Sequence, residues 1–173
     1  SSLSGNIRLE NITMKNIKLS NNNLLEKTGL ISFSKSKTST VPPQSSQWTL
    51  SLQDCTFESI HGASALFIEM LEITKITIAQ SVFRNITNTI GSALNYDASP
   101  INPALISIKD SLFLKNHASE SGGAIALAGS YSIEILKNQF LENTAQYSGG
   151  AIILNSLKQN LDLQMQQVHL QYL

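Results

Sequence analysis

Cysteine is almost missing from this 173-residue chain. Cys55 stands alone, which excludes an internal disulfide and a cysteine-rich zinc site. Charge is sparse as well: 14% of residues are charged, and twelve basic side chains cancel twelve acidic ones. Arg8 and Arg84 are the only arginines, and no basic stripe of the kind that follows a phosphate backbone is present, so nucleic acid is not an expected partner. Apolar runs such as AIALAG fall far short of the ~20 residues that span a bilayer. The chain opens on Ser-Ser without Met or a signal-peptide pattern and reads as a segment of a longer protein. Runs of helix formers long enough for a helix in every repeat are lacking too.

What the sequence does contain is repetition. FLKNHASESGGAI from Phe113 and FLENTAQYSGGAI from Phe140 share nine of thirteen letters at identical spacing. With the Phe as anchor, the same position recurs as Met14, Phe57, Phe83, Phe113, Phe140 and Val168. Five residues before it stand Leu9, Leu52, Ile78, Ile108, Ile135 and Leu163, and seven before it Ile7, Leu50, Ile76, Ile106, Ile133 and Leu161. Each intervening residue is polar. Alternation with period two marks a strand with one buried face, and its recurrence predicts a solenoid of about six rungs.

Parity then predicts corners. The anchor lies an odd number of residues after the two inward positions, so a bend must intervene, at Asn11, Asp54, Gln80, Asp110 and Lys137. A second bend is expected at Asn116 and Asn143, and a third at the glycines before ALFIE, ALNYD, AIALA and AIILN. Three short strands and three bends per rung describe an all-β, single-stranded, right-handed parallel β-helix. A leucine-rich repeat has a similar period, but its L-x-x-L-x-L-x-x-N signature does not occur. The whole of 1–173 reads as one domain, with a loop insertion at about 18–48 and a smaller one at about 95–104.

The pair F-x-x-N (Phe113–Asn116, Phe140–Asn143) and G-G-A-I (Gly122–Ile125, Gly149–Ile152) resembles the repeats of polymorphic outer membrane proteins. That resemblance implies a right-handed, pectin-lyase-like β-helix of the kind found in large secreted or surface-anchored proteins, often adhesins. Rungs two and three keep weaker forms, FESI with SALF and FRNI with GSAL.

The motif residues have structural roles in this reading. Phe57, Phe83, Phe113 and Phe140 should stack inside, and Asn116 and Asn143 should pass amide hydrogen bonds along one column. Gly122, Gly123, Gly149 and Gly150 should supply positive φ or close approach at the third bend. Lys15, Glu58 and Arg84 should form an exposed ladder of alternating sign. Glu134 and Asp162 fall in one outward column and are weak candidates for a calcium site; otherwise no metal, cofactor or catalytic residue is expected. Asp54 and Asp110 share a column two rungs apart with Gln80 between, about 9.6 Å at the usual strand spacing and near the carboxylate separation of inverting glycosidases. They occupy a bend whose other members are Asn11, Gln80 and Lys137, however, and turn formation explains them there. His61, His117 and His169 are read as solvated turn residues that share no column. If Ile125, Leu127, Ile152 and Leu154 point inward, Ala65, Phe67, Ala93, Ala124, Ala126, Ala151 and Ile153 form an outward apolar strip, a possible interface. Asn11 and Asn85 begin Asn-Ile-Thr sequons that permit N-glycosylation.

The expected role is a non-enzymatic structural or adhesive module of an extracellular or cell-surface protein. Its partners would be other chains or copies of itself packed laterally or end to end, as in a filament, or glycans. A polysaccharide lyase or hydrolase and a non-catalytic carbohydrate-binding solenoid are the alternatives.

Overall fold

The computed structural model describes residues 4–19, 29–33, 47–69, 73–98, 103–156, 163–166 and 169–171. The first rung runs through β1 (Ser4–Glu10), β2 (Thr13–Lys18) and β3 (Gly29–Phe33). The second has β4 (Gln47–Gln53), β5 (Thr56–His61) and β6 (Ser64–Ile68), and the third has β7 (Ile73–Ala79), β8 (Val82–Ile90) and β9 (Leu94–Ala98). In the fourth, β10 (Ala104–Lys109), β11 (Leu112–Leu114), β12 (His117–Ser121) and β13 (Ile125–Gly129) follow one another. The fifth repeats that order as β14 (Tyr131–Leu136), β15 (Gln139–Leu141), β16 (Thr144–Ala145) and β17 (Ile152–Ser156), and β18 (Leu163–Gln166) and β19 (His169–Gln171) belong to a further, partial rung.

Strands stack only on their counterparts in neighbouring rungs. The first sheet orders β1-β4-β7-β10-β14-β18; the second runs β2-β5-β8, then continues from β8 both as β11-β15-β19 and as β12-β16; the third runs β3-β6-β9-β13-β17. All pairs are parallel and equivalent letters face each other, as Ile76, Ile106 and Ile133 do. The chain is therefore an all-β parallel solenoid. Among the described residues five rungs carry all three sheets, slightly fewer than the six expected.

The core is the space between the three sheets. Leu50, Leu52, Ile76, Ile78, Ile106, Ile108, Ile133 and Ile135 from the first sheet are all buried. They meet the phenylalanines of the second sheet and Leu66, Leu94, Ile125 and Leu127 of the third in one cluster. Burying each such side chain contributes roughly 1.5–3 kcal/mol.

The corners are set by backbone conformation. Asn11, Asp54, Gln80, Asp110 and Lys137, one per rung at the first bend, have φ between 47° and 55°. At the second bend the left-handed residue is Asn16, Ser59, Asn85, Lys115 and Glu142, with φ between 53° and 57°. Asn and Asp adopt this region at little cost, and a single such residue turns the strand direction without breaking the stack. The third bend uses Gly91, Gly122 and Gly149, at φ +53°, +66° and +63°.

Three expectations need correction. The stretch 18–48 is not all loop: Gly29–Phe33 forms β3, with Ile31 opposite Leu66. Its alternating GLISF letters supply the first rung's third strand. At 95–104, Asn95–Ala98 completes β9 and Ala104 opens β10, so the excursion is narrower than ten residues. In the last rung Leu170, not Val168, faces Phe140, while Leu163 and Met165 face Ile133 and Ile135. Leu161 and Val168 lie outside the described residues.

Candidate functional site

Most of the polar motif residues turn inward and serve the backbone. Asn116 is fully buried; its Oδ1 accepts from the Ile86 N–H at 3.2 Å, and its Nδ2 donates to the Phe83 carbonyl at 3.0 Å. The same Nδ2 donates to Asn143 Oδ1 at 3.0 Å, and Asn143 donates in turn to the Phe113 carbonyl at 2.8 Å. Each asparagine thus repeats one set of contacts a rung further along. Beside them the rings of Phe57, Phe83, Phe113 and Phe140 stack nearly parallel, with centroids 5.1, 5.0 and 4.6 Å apart.

A second polar ladder escaped the sequence reading. The Cys55 N–H donates to Ser81 Oγ, the Ser81 N–H to Ser111 Oγ, and the Ser111 N–H to Asn138 Oδ1 at 2.9 Å. Asn138 Nδ2 closes the column on the Ile108 carbonyl at 2.7 Å. The signal for it was a small or polar residue two places before every Phe anchor. Cys55 is buried at the head of this column, with its Sγ directed at the carbonyls of Leu9 and Gln53.

Residues 110–128 match the Chlamydia polymorphic membrane protein repeat. The matched segment holds Phe113, Asn116 and the Gly122–Ile125 tetrad, so the resemblance falls on the residues that build one rung. No curated protein and no solved structure matches the chain. Outside the matched segment the repeat is carried by stacking: each of its columns continues into the neighbouring rungs.

On the outside, the charge ladder forms as anticipated. Glu58 bridges Lys15 at 3.1 Å and Arg84 at 2.8 Å. The hydrogen bonds from Arg84 and then from Lys15 hold the Glu58 carboxyl below the usual carboxylate range. A depressed carboxylate adds stability above its unfolded value, about 4.3, and loses it as pH falls through the folded value. Wild type should therefore lose more Tm than Glu58→Gln between pH 5 and pH 3, a difference readable by calorimetry. Equal losses would show that the ladder contributes nothing.

The remaining surface candidates are redistributed. Glu134 faces Gln164, not Asp162, across the rung boundary. Its carboxylate takes the Lys109 ammonium at 2.9 Å and the Ser107 hydroxyl at 3.0 Å, which lower its pKa in that order. Asp162 lies outside the described residues, and the register puts Gln164 at the position expected for it opposite Glu134. Among the described residues no three His, Cys, Asp or Glu side chains gather. His61 and His117 do share a column, contrary to expectation: the order is Lys18, His61, Thr87, His117, Thr144. Each histidine bonds through Nδ1 to the next threonine at 2.9 Å. His169 faces Gln139 in another column. Asp54 and Asp110 occupy the first corner with Gln80 between them, and the Gln53 amide bonds both Asp54 and Gln80. Asn11 and Asn85 are exposed at left-handed corners.

The apolar strip does not exist as expected. Ala65, Ala93, Ala124 and Ala151 belong to the core and are at most 5% exposed. Ala93, Ala124 and Ala151 stand just before their strands, at the corner, and Ala65 lies in the equivalent position at the start of β6, where the alternation extrapolated backwards from the strand no longer holds. Phe67 and Ala126 do face away from the core but are buried, and Ile153 is half-buried.

Proposed function

We propose that this chain is a rigid, non-catalytic segment of an extracellular or cell-surface protein, with a structural or adhesive role. The observation that carries the proposal is the use to which the repeat motif is put. The residues matched to the polymorphic membrane protein repeat, Phe113, Asn116 and the glycines, hold rung to rung, leaving the outer surface to vary. The name of that repeat points to a membrane-associated surface protein, and no helix among the described residues is long and apolar enough to cross a membrane. A rod of this kind places recognition on its outer faces and loops. The ends β1 and β18 each pair on one side within the first sheet, so further rungs, from this chain or another, would stack there rather than on a lateral strip.

The enzymatic alternative asks for carboxylates converging on one groove. Asp54 and Asp110 are separated by Gln80 and sit at corners whose backbone explains them. Two measurements test the proposal. An antibody to the folded chain should label intact cells without permeabilisation, and purified protein should leave pectate, alginate and chitosan uncleaved. Labelling that needs permeabilisation, or turnover abolished by Asp110→Asn, would overturn it.

A further inference from the structure

The outer face of the third sheet carries a side chain that the repeat does not account for. The column reads Phe67, Asn95, Ala126 and Ile153. Asn95 is only 6% exposed, yet among the described residues nothing hydrogen-bonds its amide. The other buried asparagines, Asn116, Asn138 and Asn143, all use both amide atoms. Unlike Arg84 Nε and Ser130 Oγ, its polar atoms are not sealed off, so the amide presents an unused acceptor and two unused donors to the solvent beside it.

Asn95 lines a groove of about 210 Å³. Ala126 and Ile153 form an apolar floor, Asp97 and Asn155 stand at one end, and Ser121 lines the opposite wall. The third corner builds that wall by running close against the floor. A Cβ added to Gly122 would lie 3.0 Å from the Ala126 methyl and 2.9 Å from Ile153 Cγ2.

The chemistry narrows the ligand. One amide offers an acceptor and two donors in a plane, which suits adjacent hydroxyl groups; the exposed Asn155 amide offers the same combination, and the Ser121 hydroxyl, bonded to Ser148, keeps a lone pair to accept with. The methyl-lined floor suits the C–H face of a ring. Among the described residues no lysine or arginine lines the groove, so a phosphate finds no counter-charge there. β9 and β13 are paired on both sides, so a peptide cannot add as a strand. The volume lies below the ~300–1,000 Å³ of pockets that enclose drug-sized ligands, which limits the site to one ring with the remainder in solvent.

We propose that this groove binds a single ring of a neutral glycan, with the Asn95 amide as its central contact. The inference gives the adhesive reading a ligand and rests on that reading.

Titrating the chain with neutral hexoses, N-acetylhexosamines and their disaccharides, followed by amide chemical shifts, tests it. Saturable shifts confined to Asn95, Ser121, Ala126 and Asn155 are expected. Asn95→Val should weaken binding at least ~10-fold without lowering Tm, because the amide has no partner within the fold to lose. Asn155→Ala, an exposed change that leaves folding intact, should weaken binding several-fold. Absence of saccharide binding, or shifts elsewhere on the rod, overturns the inference. So does a lower Tm in Asn95→Val, which would mean the amide is structural. Surface labelling of intact cells that persists in any of these cases separates this failure from failure of the surface role.

Discussion

Phe113→Ala should destabilise the protein by roughly 3–5 kcal/mol, the cost of deleting a large side chain from a tight core. Phe113 is fully buried and lies between two rings, Phe83 at 5.0 Å and Phe140 at 4.6 Å, so the deletion removes two stacking contacts and leaves a void between them. The fourth rung is internal, and in a solenoid each rung is stabilised only by its neighbours. A cavity there weakens both interfaces at once. Leu114, next along the strand, points outward, and Leu114→Ala should cost under about 1 kcal/mol. Denaturant unfolding of the two variants gives the comparison. A loss below about 1 kcal/mol at Phe113 would mean that the stacked column is not what holds the rungs together.

The central rungs were legible in the sequence because their letters repeat. Phe57, Phe83, Phe113 and Phe140 align without gaps, and the two Leu or Ile positions before each have fixed parity. The last rung was not legible in the same way. Placing its anchor at Val168 rather than Leu170 is a slip of two residues, and a slip of two leaves every side chain on its original face. Period-two patterning cannot detect that error, and it carried with it the false opposition of Glu134 and Asp162, where the register gives Gln164. The misread strip has another cause. Parity counted back from Ile125 to Ala124 assumes extended backbone, but Ala124 sits at the corner that begins with Gly122, and its methyl turns into the core. The shared column of His61 and His117 was available from the letters, since both lie four residues after a Phe. Asn95 was not: its burial depends on how the third corner folds back over its sheet, which no short-range pattern encodes.

Asn116→Ala should cost roughly 2–5 kcal/mol, because it strands several groups at about 1–3 kcal/mol for each buried group left without a partner. The Ile86 N–H and the Phe83 carbonyl both lose the amide that satisfies them, and Asn143 loses a donor to its Oδ1. The preceding rungs show why this position is demanding. Strands β5 and β8 run unbroken through Ile60 and Ile86, whereas the second sheet is interrupted at Asn116 and Asn143, where side-chain amides stand in for ladder bonds. An apolar residue at 116 fits the column by shape and still leaves the Ile86 N–H unpaired. Asn116→Asp separates shape from hydrogen bonding. The carboxylate can accept from Ile86 but cannot donate to Phe83, and burial raises its pKa above the unfolded value of about 3.9. Protonation restores a donor, so the variant should regain stability as pH falls through that raised value, the reverse of the behaviour expected at Glu58. Equilibrium unfolding of both variants between pH 4 and pH 8 measures this. An Asn116→Asp protein whose stability relative to wild type stays flat with pH would show that the amide is not buried in the ladder described.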